Sequence, residues 1–186
     1  MNATLLVIDV LNDFVDRHSP ERRIALIAAI NDIAAVVRRA GGEVVWVRQE
    51  FAPDLRDAFL AMRRTGHRIT IAGTRGAALA DGLDARLDER VVVKKRYSAF
   101  HGTDLEKLLP PPGESVIIVC GLNTHACVRM AAVDAYQRDY DVIVATEATL
   151  SYDDEQHDST LRYLARSIAR LQSNVQIATM LADVPE

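Results

Sequence analysis

Short β-branched runs alternate with longer stretches of helical period along the whole chain, and this alternation restricts the fold more than any other feature. Thr4 to Val10 (TLLVIDV) is apolar on both faces, as a central parallel strand is when helices cover the sheet from either side. Glu43 to Val47, Val91 to Val93, Ser115 to Cys120 and Asp141 to Ala145 repeat the pattern, and Val175 to Ala178 offers a sixth strand. Between them the period changes. Ser19-Pro20-Glu21 opens a helix with a hydroxyl cap, a proline at the first position and an early acid. Leu26, Ile30, Ile33 and Val37 then face one side, Arg38 and Arg39 fall in the last turn, and Gly41-Gly42 ends it. Further helices are expected over Arg56 to Arg64, Asp104 to Leu109, Thr124 to Tyr140 and Glu155 to Leu171. Strands joined by helices build βαβ units. The expected fold is therefore α/β: a three-layer αβα sandwich on a six-stranded, mostly parallel, Rossmann-like open sheet. A chain of 186 residues suits one domain over 1–186, and its Pro110-Pro111-Pro112-Gly113 cluster reads as a loop rather than a linker.

Composition narrows the function classes. The net charge is −4 and no basic stripe is present, which argues against a nucleic-acid or anionic-membrane partner. No apolar run approaches the roughly 18 residues of a membrane-crossing helix. The opening MNATLLVIDV has no basic segment before its apolar run, so no signal peptide is expected. Two cysteines, Cys120 and Cys127, are too few for a disulfide framework, and a reducing, cytoplasmic location is the expectation.

Open parallel sheets bind ligands beyond the carboxyl ends of their strands, so the polar residues at those ends are the candidates for chemistry. Asp9 closes the first strand and Arg48, Gln49 and Glu50 follow the second. Lys94, Lys95 and Arg96 follow the third, and Gly121-Leu122-Asn123-Thr124-His125 the fourth, with Cys127 in the first turn of the next helix. Alone, Asp9 reads equally well as a loop cap and Lys94 as a solvated strand end. Cys120, inside an apolar strand, reads as an inert core residue. Cys127 differs, because a helix N-terminus and a nearby lysine favour a thiolate. An acid to take the thiol proton, a cation to hold the charges and backbone N–H donors for an oxyanion are the requirements for attack on a carbonyl.

Three segments carry a family resemblance: Leu5 to Phe14 (LLVIDVLNDF), Lys94 to Phe100 (KKRYSAF) and Gly121 to Val128 (GLNTHACV). In sequence, order and spacing they are similar to the three motifs of the isochorismatase-like cysteine hydrolases. The resemblance implies that Asp9, Lys94 and Cys127 form a catalytic triad. It further implies a cis bond between Leu122 and Asn123, an oxyanion hole from the backbone amides of Asn123 and Cys127, and Phe14 and Asn123 beside the substrate. Leu11 departs from the pattern, which commonly has glutamine there. The implied activity is cysteine-dependent hydrolysis of a C–N bond in a small amide or carbamoyl/ureido compound through a thioester. The implied partners are a small-molecule substrate and further copies of the chain in a homo-oligomer. Nicotinamidases of the family hold a metal after the second strand, but Arg48 to Asp54 lacks histidine here, and His18, His67, His101, His125 and His157 are scattered. No metal and no cofactor are therefore expected. The alternatives are isochorismatase-type hydrolysis of an enol ether, which does not need the cysteine, and a non-catalytic α/β binding protein, which predicts no reactive thiol.

Overall fold

A computed structural model describes residues 2–182. Its strands are β1 (Asn2–Ile8), β2 (Glu43–Gln49), β3 (Arg90–Lys94), β4 (Ser115–Leu122), β5 (Asp141–Leu150) and β6 (Arg170–Gln172). All pair in parallel in the order β3-β2-β1-β4-β5-β6. The helices are α1 (Asn12–Val15), α2 (Pro20–Arg39), α3 (Leu60–Thr65), α4 (Leu105–Leu108), α5 (Arg129–Tyr136), α6 (Asp154–Ser167) and α7 (Asn174–Ala182). A short 3₁₀ turn covers Arg75–Ala77, and one π-turn, Thr124–Val128, leads into α5.

Side-chain alternation splits the core into two layers. Leu5, Val7, Val44, Trp46, Ile118 and Cys120 point toward α2 and α7, where Ile30, Ile33, Val37 and Ile177 meet them. Leu6, Ile8, Val45, Val47, Ile117 and Val119 point the other way, onto Leu105, Ala131, Ala135 and Leu164. The expected three-layer α/β sandwich is thus present. Sequence order reverses between β1 and β4, so a crevice opens at their carboxyl ends.

The start of α2 is as its sequence indicates. Ser19 caps it by accepting from the Arg22 N–H, and Pro20 is the first helical residue. Near its end, Arg38 Nε meets Glu89 Oε1 at 2.7 Å and its Nη1 meets Asp84 at 2.8 Å. Buried Trp46 donates to Glu89 Oε2 at 2.7 Å. Burial pushes the Glu89 carboxyl up, but Arg38, the Arg86 backbone N–H and Trp46 outweigh it and hold the group below its ordinary 4.5. A depressed carboxyl stabilises the fold fully above its ordinary value, and that stabilisation is lost as pH falls below it. Glu89→Gln should cost about 2 kcal/mol near pH 7. Melting curves should show the gap to the parent closing as pH falls below the ordinary carboxyl value of 4.5, whereas a constant gap contradicts the linkage.

Several boundaries differ from expectation. The first strand ends at Ile8, not Val10, because Asp9 turns into the left-handed region at φ 51°. β2, β3 and β4 each run one or two residues further than their β-branched runs, and β5 continues five residues beyond Ala145. The helix expected over Arg56 to Arg64 is α3, which stops at Gly66 with φ 70°. The helix expected to reach Leu171 ends at Ser167, and β6 is Arg170–Gln172. Val175 to Ala178, expected as the sixth strand, belongs to α7. Ser173 and Gln176 form a reciprocal capping box there: Ser173 Oγ accepts from the Gln176 N–H at 3.2 Å and Gln176 Oε1 accepts from the Ser173 N–H at 2.8 Å.

Candidate active site

Three strand ends supply the site. Asp9 follows β1, Lys94 is the last residue of β3 and Cys127 lies in the turn after β4. The positive φ of Asp9 redirects the chain, and its carboxyl oxygen Oδ1 accepts the Gln49 N–H at 2.7 Å. On β3, Val92 and Lys94 share a face, so the lysine enters the layer that contains Cys127, while Lys95 leaves on the opposite side. Lys94 Nζ sits 2.6 Å from Asp9 Oδ2 and donates to Cys127 Sγ at 3.4 Å and to the Arg96 carbonyl at 3.0 Å. Lys95 instead pairs with Asp57 at 3.0 Å on the surface. The structure therefore brings Asp9, Lys94 and Cys127 together, and all three are buried.

Charge in this enclosure is decided by burial and by the three partners. Burial pushes the Lys94 ammonium down, but the charges of Asp9 and Cys127 and its bonds to both outweigh that, and the net direction is up. Lys94 therefore stays cationic. For Cys127 burial comes first and pushes the thiol up; Asp9 adds to this, and Lys94 opposes it without prevailing. Burial thus opposes the thiolate that the place near a helix start favours. Desolvation wins because the sulfur is enclosed. Cys120 is buried with no charged partner, and burial alone pushes its thiol up.

β1 and β4 approach each other closely behind the site. At Gly121, with φ 109°, a Cβ would stand 2.1 Å from the Ile8 carbonyl oxygen, so only glycine fits between the strand that ends at Asp9 and the loop that leads to Cys127. The peptide bond Leu122–Asn123 is cis, as the resemblance implies. The Asn123 carbonyl accepts from the N–H groups of Ala126 and Val128 at 3.0 and 3.2 Å, and its side-chain Oδ1 is buried without a partner. Leu11, where glutamine is commonly found, is fully buried and bridges to Leu79, so it belongs to the core. Phe14 also packs in the α2 layer, with its carbonyl toward the Tyr152 hydroxyl at 3.5 Å.

Tyr152 escaped sequence reasoning. It follows β5, and the strand-end rule would have found it had β5 not been expected to finish at Ala145. Its ring stacks on His18 at 4.9 Å, with the Arg17 guanidinium 5.7 Å from the ring centre. Burial pushes its phenol up, and a hydrogen bond with Asn123 and the Arg17 charge oppose this. His125 bonds to Ser151, and His157 Nδ1 to Thr124 Oγ1 at 2.7 Å, so both histidines tie the Cys127 turn to the β5–α6 region. A groove of about 460 Å³ near Asn12, Ile24 and Arg75 lies apart from the three central residues and has none of them in its wall.

The acids that follow β2 are all engaged. Arg48 holds Glu50, Arg56 holds Asp54 at 3.0 Å and Lys95 holds Asp57. Among the described residues no three histidine, cysteine or acidic side chains are grouped to hold a metal ion. These residues do not fit the metal of the nicotinamidases. Dialysis against a strong chelator should leave turnover unchanged, whereas a rate that collapses and returns with a divalent ion would place a site near Glu50 and Asp54.

Comparisons with known proteins identify the family. Residues 3–176 match the isochorismatase domain. An isochorismatase family protein from Desulfovibrio vulgaris superposes with a TM-score of 0.86 at 32% identity, covering 97% of this chain and 98% of that one. N-carbamoylsarcosine amidase from Thermoplasma acidophilum superposes at 0.77 with 26% identity, covering 94% and 97%. A probable inactive nicotinamidase of Arabidopsis thaliana is 32% identical over 169 residues, 86% of each chain. A ureidoacrylate amidohydrolase of Methylorubrum extorquens is 31% identical over 140 residues, 67% of this chain but only 56% of that protein. With the domain match running nearly from end to end on this fold, the chain belongs to the isochorismatase family.

Proposed function

We propose that this protein is a cysteine-dependent amidohydrolase that cleaves a C–N bond of a small amide or carbamoyl/ureido compound. The observation that carries the reading is the contact of one buried ammonium, Lys94, with both Asp9 and Cys127. Because burial favours the protonated thiol, a base must remove the proton as the substrate arrives. Asp9 is that base. Lys94 stabilises the thiolate as it forms, and Sγ attacks the carbonyl carbon. The backbone amides of Asn123 and Cys127 receive the oxyanion. Asp9 returns its proton to the leaving nitrogen, which departs as ammonia or an amine and leaves a thioester on Cys127. Water, deprotonated by Asp9, then hydrolyses the thioester and restores the thiol.

The names of relatives support the class: ureidoacrylate amidohydrolase and N-carbamoylsarcosine amidase both act on C–N bonds. A reducing cytoplasm suits the chemistry, since Cys127 must remain a free thiol, and both cysteines are free. Assembly into a homo-oligomer is part of the reading and is checked by light scattering. The test of function is a panel of small amides, ureido acids, carbamoyl compounds and one enol ether, followed by ammonia release and by mass spectrometry of quenched samples. An acyl adduct on Cys127 with ammonia or amine release supports the proposal. Turnover of the enol ether alone, without an adduct, overturns it.

A further inference from the structure

The side chain of Gln49 is buried beside the catalytic group and has an unused donor. Its neighbours on β2 alternate, Trp46 into the α2 layer and Val45 and Val47 into the layer of Cys127 and Val128, so Gln49 leaves the strand on the Cys127 face. It pairs in register with Lys94 of β3, and its backbone N–H holds Asp9. Only 4% of the residue is exposed, yet its Nε2 has no hydrogen-bond partner among the described residues. A buried polar group without a partner is costly, and such groups are retained where a ligand completes them.

The donors of Lys94, the cation beside it, are committed. An ammonium has three N–H bonds, and those of Lys94 have Asp9, Cys127 and the Arg96 carbonyl as partners. Arg96 donates to the carbonyls of Asp57 and Lys95, and Arg48, whose Nε is also unpaired, leaves β2 on the opposite face from Gln49 and is held by Glu50. Across the site the Asn123 Oδ1 acceptor is equally unpaired. A buried donor on one side and a buried acceptor on the other match a ligand that offers both an oxygen and an N–H, as a carboxamide or ureido group does.

We infer that Gln49 is a specificity-determining residue of the proposed reaction: its side-chain amide donates to an oxygen of a carboxamide-type substrate held at Cys127. The inference rests on the assignment of Cys127 as nucleophile. Two alkylating probes separate them. Iodoacetamide carries a carboxamide, and iodomethane has the same leaving group without one. Gln49→Met keeps length and removes the donor. Alkylation of Cys127 by iodoacetamide should slow at least tenfold in this variant, while the iodomethane rate stays within about twofold. The melting temperature should be equal or higher, because an apolar chain replaces an unpaired polar one. Equal loss with both probes would show that Gln49 acts only on the triad, and unchanged rates would show that it meets no carboxamide; either result overturns the inference. No alkylation of Cys127 by iodomethane in the parent protein would remove the nucleophile assignment first, and the inference with it.

Discussion

Cys127→Ala is expected to lose at least a thousandfold in kcat, about 4 kcal/mol of barrier, while its melting curve stays close to the parent's. No other sulfur is placed to replace it. Cys120 points into the α2 layer from the middle of β4, and Asp9 and Lys94 lie at the strand ends. Cys120→Ala should show the reverse pattern: activity retained and about 1–2 kcal/mol of stability lost to a small cavity. The pair of variants thus separates a chemical thiol from a packing thiol by two independent measurements, turnover and melting. Full activity in Cys127→Ala, or an acyl adduct on Cys120, would sink the thioester route.

Adjacent lysines should behave as differently as adjacent strand faces. Lys94→Ala should cost at least a hundredfold in kcat, roughly 3 kcal/mol of barrier, because no cation remains to stabilise the forming thiolate. It also leaves the Asp9 carboxyl buried without its ion pair, a loss of about 3–5 kcal/mol in stability. Lys94→Met preserves the side-chain volume, so a folded but inactive Lys94→Met distinguishes chemistry from collapse. Lys94→Arg should not rescue, since a planar guanidinium does not fit the position of a compact ammonium. Lys95→Ala should cost under tenfold, because it removes a half-exposed pair with Asp57 and a hydrogen bond to the Glu50 carbonyl, both away from Cys127. An active Lys94→Ala beside a dead Lys95→Ala would show the third motif to be misplaced by one residue.

The cores of five strands were legible because β-branched runs buried on both faces have few other uses. Their carboxyl ends were not. Arg48, Gln49 and Lys94 break the apolar pattern where the strands reach the site, so function and readable pattern part company there. The early end assigned to β5 hid Tyr152 in the same way. The α7 error has a different origin: Val175 to Ala178 is apolar enough for a strand, and the Ser173–Gln176 capping box decides otherwise. Motif order and strand alternation were enough to nominate Asp9, Lys94 and Cys127 together. The burial that opposes a thiolate at Cys127 was not legible, because local helix-end arguments favour one and only the packed structure shows how completely the sulfur is withdrawn from water.

The contact of Gly121 with the Ile8 backbone gives the molecule a hub and a rim. Asp9 and Cys127 follow two chain segments whose main chains are in contact, and no side chain lies between those segments at Gly121 to flex or be exchanged. That close approach itself involves no side chain of either segment. Gln49, Tyr152 and the segments after β2 and β5 are attached to other strands and reach the same centre from outside this contact. Changes there alter what is admitted without altering what attacks it. An engineer wishing to re-address this protein to a new substrate should vary that rim and leave the glycine alone.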